Sequence, residues 1–214
     1  VNAGNSITSG GNYNTVVGDE AGTAITTGDH NTAVGYSSLV ANTTGGQNTA
    51  SGFKAMFSNT TGEDNTATGY QALYANTTGA SNAAYGLFAL TANTTASSNT
   101  AVGHSSLKAN TTGAENTAVG HRALDANTTG LANTSVGQDS LGANTTGVSN
   151  SAFGRTAMVL NTTGGFNTAL GRDALYANTT ASNNTAVGFA CLESNTTGTR
   201  NTASGSWALQ ENTT

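Results

Sequence analysis

The sequence contains no proline, a single cysteine and few charged side chains. Charged residues make up 8% of the chain, and six Lys and Arg stand against eleven Asp and Glu, so a basic footprint for nucleic acid is missing. The lone Cys191 excludes a disulfide framework within the chain. No apolar run approaches the ~18 residues of a membrane helix, and no signal peptide is visible. We therefore expect no nucleic-acid partner and no membrane insertion in this chain.

What the sequence does contain is one unit of 17 residues, repeated without insertion or deletion. Residues 116–130, Asn-Thr-Ala-Val-Gly-His-Arg-Ala-Leu-Asp-Ala-Asn-Thr-Thr-Gly, are typical. Positions within the unit are counted here from its first Asn. Position 1 is therefore Asn14, Asn31, Asn48, Asn65, Asn82, Asn99, Asn116, Asn133, Asn150, Asn167, Asn184 and Asn201. Net charge is a modest −5 and the apolar positions are periodic, which indicates order rather than disorder.

A fixed short period predicts a solenoid, and 17 residues are too few for helical repeats of ~33 residues or more. We predict an all-β fold, a β-solenoid (parallel β-roll) of about twelve coils over residues 14–214. Residues 1–13 keep only Gly11 in register and are predicted to be an atypical N-terminal lead-in or cap. Because the sequence starts and stops in mid-repeat, we expect it to be a piece of a longer chain.

Positions 1 to 5 of each unit predict a short strand. Positions 6 to 11 leave a second strand and a single helical turn as alternatives, since short apolar runs are not resolved by period alone. Positions 4 and 9 carry large apolar side chains, and positions 3, 8 and 11 carry small ones. We expect these residues together to fill a thin core.

Glycine occupies position 5 in every unit, which requires a positive φ or a close approach of neighbouring backbone. These structural-ladder glycines are Gly18, Gly35, Gly52, Gly69, Gly86, Gly103, Gly120, Gly137, Gly154, Gly171, Gly188 and Gly205. Position 15 is also Gly in most units, with Ala96 and Ala181 as exceptions, which predicts a turn.

An Asn-Thr-Thr triplet begins at position 12 and allows two interpretations. Stacked asparagines form amide ladders along a solenoid, and threonine hydroxyls cap turn backbone groups. The same triplet matches the N-glycosylation acceptor pattern, although glycans on rungs ~4.8 Å apart would crowd one another. The candidate acceptors are Asn42, Asn59, Asn76, Asn93, Asn110, Asn127, Asn144, Asn161, Asn178, Asn195 and Asn212.

Aromatic side chains recur at positions 6 and 10 and would form a stripe along the stacked coils. The stripe has three interpretations: a seam against another chain, a glycan-binding strip, or plain surface with aromatic ladders that stabilise the sheet. Its residues are Tyr36, Phe53, Tyr70, Phe57, Tyr74, Tyr176 and Phe189.

The sequence offers little for catalysis. His104 and His121 would lie one coil apart, but no third ligand accompanies them and a closed zinc site normally takes four. No paired carboxylates recur at fixed spacing, and Cys191 occupies a position held elsewhere by Ala or Ser, which predicts a small buried side chain. We therefore expect a non-enzymatic protein with no catalytic, metal or cofactor site.

The unit Asn-Thr-Ala-Val-Gly-x-x-Ala-Leu resembles the head repeats of trimeric autotransporter adhesins, which form a left-handed parallel β-roll. It is also similar to Asn-Thr-Ala-Val-Gly repeats of phage tail-fibre proteins. The resemblance covers about residues 14–214. It implies a surface-exposed homotrimeric fibre around a threefold axis, located outside the cell, on the cell surface or on a virion. It also implies that one of positions 3 and 4 faces the coil's own core and the other a partner chain.

Three functions remain as hypotheses. The first is a structural or adhesive fibre (tail-fibre shaft, adhesin head or extracellular filament) that associates with itself and contacts a host-surface glycan or receptor. The second is a monomeric ice-binding β-solenoid that uses threonine ladders. Ice binding favours Thr-x-Thr, whereas adjacent threonines in a strand point to opposite faces. The third, resting on the aromatic stripe alone, is a glycan-binding accessory module of an enzyme.

Overall fold

The structure of the protein is a computed structural model that describes residues 3–4 and 11–214. It confirms a parallel β-solenoid of 17-residue coils, and positions 6 to 11 contain no helix. Most of the predicted lead-in, residues 1–2 and 5–10, lies outside the described residues. In the described part of the chain, no helix is long and apolar enough to cross a membrane.

The chain divides into two compact units, Val1–Ser105 and Ser106–Thr214. The first unit contains strands β1 (Thr15–Val17), β2 (Thr32–Val34), β3 (Thr49–Ser51), β4 (Thr66–Thr68), β5 (Ala83–Tyr85) and β6 (Thr100–Val102). The second contains β7 (Thr117–Val119), β8 (Thr134–Val136), β9 (Ser151–Phe153), β10 (Thr168–Leu170), β11 (Thr185–Val187) and β12 (Thr202–Ser204).

Within each unit, consecutive strands pair in parallel and in exact coil register. Thr15 lies opposite Thr32 in the first unit, and Thr117 lies opposite Thr134 in the second. Each strand spans positions 2 to 4, so the predicted strand is confirmed at its centre and loses one residue at either end. Because every position lies beside its own copy, one side-chain type forms a continuous column.

The segment over positions 6 to 11 is a series of turns rather than a second strand or a helical turn. Residues at positions 7 and 9 have positive φ, as at Arg122 (54°) and Leu124 (55°), and position 17 does too, as at Ala132 (56°). Amides in this segment still bond between coils, for example Leu124 N to Ser140 O at 3.0 Å. The left-handed residues thus turn the chain while keeping its backbone paired.

The core of each coil is narrower than predicted. Position 9 is fully buried in nearly every coil, as are the small residues at positions 3 and 8. Position 4 instead lies on the outer face of the strand, and position 11 is only half-buried, so including these two positions in the core was wrong. The reason is alternation: with position 3 inward, positions 2 and 4 must point out.

The first coil reaches the same core volume with different residues. Gly22 replaces the usual Leu, and a Cβ there would lie 2.7 Å from Val16 Cγ1 and 2.9 Å from Ile25 Cδ1. Val16 and Ile25 stand where other coils carry Ala and Asn. Two larger neighbours therefore fill the space that a leucine fills elsewhere.

Candidate functional site

The outer face of the strands is an uncharged surface formed by positions 2 and 4. Position 2 is Thr in ten coils, with Ala83 and Ser151 as the exceptions. Position 4 is apolar in most coils, and most of these side chains are exposed, for example 56% at Val17, 45% at Tyr85 and 49% at Leu170. No Lys, Arg, Asp, Glu or His occupies either position in any of the twelve strands. We call this surface the strand face.

The position-5 glycines have positive φ in every coil, and most of them also lie close to the backbone of the next coil. Gly120 has φ +137°, and a Cβ there would lie 2.6 Å from the carbonyl oxygen of Gly137 in the next coil. The glycines therefore allow the chain to leave the strand while the coils remain in contact. The turn predicted at position 15 is displaced: the chain bends at positions 13 and 14, and position 15 itself is neither a turn nor a residue of positive φ.

Buried asparagines at positions 1 and 12 connect the coils internally. The two asparagine side chains of a coil both donate to its position-15 carbonyl: Asn31 Nδ2 and Asn42 Nδ2 lie 2.9 and 2.8 Å from Gly45 O. Between coils, Asn59 Nδ2 donates to Asn42 Oδ1 at 2.8 Å, and the backbone N–H of Asn48 donates to Asn31 Oδ1 at 3.0 Å. We call these two columns the asparagine ladders.

The asparagine ladders bear on the glycosylation hypothesis. Ten of the eleven candidate acceptors, from Asn42 to Asn195, have no exposed surface, and Asn212 is half-buried. A glycan on Asn127 Nδ2 would leave that nitrogen a single hydrogen and would therefore remove at least one of its bonds to Asn110 Oδ1 (2.8 Å) and Gly130 O (2.9 Å). The folded coil has no room for such a glycan, so the geometry favours the structural interpretation of the triplet.

The two threonines of the triplet differ in their surroundings. At position 13 the hydroxyl caps the backbone of the next coil, as in Thr43 Oγ1 to Thr60 O at 3.2 Å, which agrees with the capping expectation. At position 14 a threonine is exposed in all twelve coils, from Thr27 to Thr214. The triplet therefore gives one column of capping hydroxyls and one column of exposed threonines.

The predicted aromatic stripe is a true stack in the first unit. Ring centroids lie 5.3 Å apart for Tyr36 and Phe53, 5.0 Å for Phe53 and Tyr70, and 5.0 Å for Phe57 and Tyr74. The Lys54 ammonium lies over Phe53 and Phe57 at 5.5 and 5.1 Å. Near-parallel stacked rings cover one another's faces and expose their edges. A sugar that stacks on a ring face therefore finds little of that surface here.

The stripe does not continue as an aromatic column in the second unit. Tyr176 is exposed at position 10 between Val159 and Glu193, and Phe189 contacts Trp207 edge-on with centroids 4.6 Å apart. The Arg172 guanidinium lies over the Phe189 ring at 5.5 Å. Stacking of the predicted stripe residues on one another is thus found in the first unit, whereas Phe189 in the second contacts Trp207 and Arg172.

A polar row follows positions 6, 7 and 10 in the second unit. Arg122 Nε donates to Asp125 Oδ2 at 2.9 Å and lies 3.8 Å from Asp139 Oδ1. The hydrogen bond that Arg122 donates to Asp125, followed by the charges of Asp125 and Asp139, raises the pKa of Arg122 above its ordinary value. Beside this row a cavity of about 310 Å³ opens around Gly142, with Val159 and Leu160 along its other wall.

The structure also places the histidine, cysteine and acidic side chains that the sequence offered. In the described residues, no three His, Cys, Asp or Glu side chains are placed to hold a metal ion. Cys191 is buried, as the repeat position indicated, and burial raises the pKa of its thiol despite a hydrogen bond from the backbone of Val187. A protonated thiol without solvent access is a poor nucleophile.

Comparisons with protein-family models, with curated proteins and with solved structures found no match. The functional proposal therefore rests on the surfaces of the molecule.

Two features of the surface were not found from the sequence. The outward direction of position 4 carried no clear signal, because Ala-Val alternation does not say which residue faces inward. The cavity does have a signal in the sequence, because Gly142 is the only glycine at position 10. A missing side chain in an otherwise filled column marks a gap in the surface.

Proposed function

We propose that the chain is a non-enzymatic structural or adhesive protein that assembles with copies of itself into an extracellular fibre, on a cell or a virion surface. The strand face carries this proposal. Its side chains are uncharged in every coil, and most of the large ones are exposed in the single chain. Exposed apolar surface that continues over many coils is typical of an interaction site, and cores of protein interfaces are depleted of charge.

The periodicity of the strand face favours a second copy as its occupant. Each rung presents position 2 and position 4 at the spacing of paired strands, ~4.8 Å. A copy of the same chain presents rungs at the same spacing, so its side chains can interdigitate along many coils. The resemblance to trimeric adhesin heads and tail fibres adds the expectation of three chains, with position 3 filling each chain's core and position 4 the seam.

Light scattering tests the proposal through the native molar mass. We expect three times the chain mass of 21.2 kDa, or a larger assembly, at about 100 µM protein. The double variant Phe153→Lys/Leu170→Lys puts two charges on adjacent rungs of the strand face and should yield the single-chain mass. Thr163→Lys/Thr180→Lys places the same charges on the same two coils at position 14 and should leave the assembly intact.

A single-chain mass for the wild type at that concentration would contradict self-assembly. Equal effects of the two double variants would place the seam elsewhere on the coil and would remove the strand face as its basis. A denatured mass above 21.2 kDa would reveal glycans and would overturn the structural interpretation of the asparagine ladders.

Ice binding is the second candidate, and the exposed threonine column at position 14 is the observation that favours it. Tyr85 and Phe153 argue against ice binding by the strand face, because each places a large exposed ring among threonines and valines and so interrupts a flat array. A thermal-hysteresis assay separates the candidates. Hysteresis that is lost in Thr129→Leu/Thr146→Leu and kept in Phe153→Lys/Leu170→Lys would favour ice binding over the fibre.

A further inference from the structure

The cavity at Gly142 arises from the loss of one side chain in the position-10 column. The neighbouring coils carry Asp125 and Val159 at this position, and the next residue, Ala143, is small. A Cβ on Gly142 would lie 3.6 Å from Asp125 Oδ1 and 3.7 Å from Val159 Cγ2. The cavity of about 310 Å³ therefore lies between a carboxylate on one side and an aliphatic side chain on the other.

The polar wall carries an excess negative charge. It holds the carboxylates of Asp125 and Asp139, whose side chains are 17% and 25% exposed, and one guanidinium, Arg122, which is 55% exposed. Asp125 Oδ2 accepts from Arg122, and Asp139 Oδ2 accepts from Gln138 Nε2 at 3.0 Å. The Oδ1 atom of Asp125 faces the cavity, and Asp139 Oδ1 is 3.8 Å from Arg122 Nε, beyond hydrogen-bond distance.

The opposite wall is aliphatic. Val159 is half-buried, and Leu160, which stands where most coils carry Ala, is exposed to 43%. The cavity therefore combines a short apolar surface with two carboxylates that have acceptor capacity left. Its volume is at the lower end of the ~300–1,000 Å³ of small-molecule sites, so it fits a ligand of a few heavy atoms.

We propose that this cavity binds a protonated primary amine on a short aliphatic stem. The ammonium group donates to Asp125 Oδ1 and Asp139 Oδ1 and balances the excess negative charge of the wall. The stem packs on Val159 and Leu160. An anionic ligand would face two carboxylates with one guanidinium already engaged, and a neutral ligand would leave the charge uncompensated. This site does not depend on the fibre proposal.

The test is a titration of the full chain with n-butylammonium chloride at neutral pH and low salt, followed by the amide NMR signals of Gly142 and Ala143. We expect saturable shifts at these signals below about 50 mM ligand. n-Butanol has a similar stem without the charge and should bind at least about fivefold more weakly. Asp125→Asn and Asp139→Asn should each weaken amine binding by a similar factor, whereas Asp64→Asn in the first unit should not.

Gly142→Val fills the cavity with the side chain that position 10 carries at Val40 and Val159, and it should abolish the shifts. Circular dichroism checks that the coil is retained, and Gly142→Ala offers a smaller change at the same place. The proposal is overturned by shifts that do not saturate, by equal binding of amine and alcohol, or by unchanged binding in a folded Gly142→Val chain.

Discussion

Each of the ten coils between the first and the last places three residues other than glycine in the left-handed region, at positions 7, 9 and 17. This conformation costs an ordinary residue roughly 1–2 kcal/mol. At position 9 the full burial of leucine, worth about 1.5–3 kcal/mol, offsets the cost. At position 17 the side chains are exposed or half-buried, so the strain there has no comparable compensation.

Ala132→Gly should therefore stabilise the chain, by about 0.5–1 kcal/mol, because Ala132 has φ 56° and glycine removes the strain. Ala126→Gly is the matched control: Ala126 is also half-buried, but its φ is not positive. It should destabilise by a similar amount, because glycine there only adds entropy to the unfolded chain. Urea unfolding measures both; a destabilised Ala132→Gly would show that the left-handed residues are not strained.

The two glycine columns should respond differently to alanine. Gly137→Ala adds a Cβ 2.5 Å from the Gly154 carbonyl oxygen at φ +133°, and we expect a loss of about 3 kcal/mol or more. Gly130→Ala meets an equally close carbonyl, but its φ is not positive, and Ala96 and Ala181 occupy this position in other coils. Its cost in urea unfolding should be clearly smaller, and equal costs would mean that φ is not what separates the columns.

The left-handed backbone was predictable from the sequence at position 5 but not at position 9. Glycine at position 5 announced an unusual backbone, and both reasons proposed for it are present in the structure. Leucine at position 9 predicted only burial, because a bulky side chain rarely adopts a positive φ. The turn path over positions 6 to 11 thus followed from tertiary packing and not from local preference.

At the scale of the coil, the asparagine ladders take the place that a second large apolar residue would occupy in a wider core. Their amides satisfy the position-15 carbonyl and one another, and every buried side-chain nitrogen and oxygen in the described residues has a partner. Such networks are stable when complete and costly when one member is lost. The coil's closure therefore depends on amide geometry as much as on apolar burial.

Asn127→Asp tests this dependence through pH. The carboxyl oxygen that replaces Asn127 Nδ2 would face Asn110 Oδ1 and Gly130 O, which accept hydrogen bonds from Nδ2 in the wild type. Burial and facing acceptors should raise the carboxyl pKa in the folded state above its unfolded value of about 3.9. The variant should be least destabilised below about pH 4 and lose stability as pH rises to that folded pKa.

Denaturant unfolding at several pH values provides the measurement. The wild type has no titratable group at this place and serves as the control, and Asn127→Ala should be destabilised by a similar amount at each pH. A pH-independent loss in Asn127→Asp would mean that the position-12 side chain is not held between acceptors.

The coil itself was predictable from sequence because the period is unbroken. The strand at positions 2 to 4, the buried leucine and the small residues at positions 3 and 8 followed from that period. Position 4 was misplaced in the core because valine is more apolar than alanine, and hydrophobicity alone assigns the larger residue to the inside. The interior is too thin for both Leu and Val, so alanine takes the inner place and valine the outer.

At the scale of the whole molecule, self-association through the strand face would make the stability of the fold depend on protein concentration. If this face packs against other copies, association removes exposed Val, Phe, Leu and Tyr from water, and the folded state gains stability by mass action. We expect the thermal midpoint of the wild type to rise over a hundredfold range of protein concentration. The Phe153→Lys/Leu170→Lys chain should show no such rise, and a constant wild-type midpoint would argue against self-assembly.

The exact coil register has a consequence for inheritance. Most contacts of a coil are with its two neighbours, and those neighbours present the same residues at positions 1 and 5 and, in most coils, at positions 9 and 12. Recombination between repeats that adds or removes a whole multiple of 17 codons leaves these columns unbroken, whereas any other length change puts the coil that carries it out of register with its neighbours. Chain length can therefore vary between lineages in whole coils, while features confined to single coils, such as the Gly142 cavity, are gained or lost in one event.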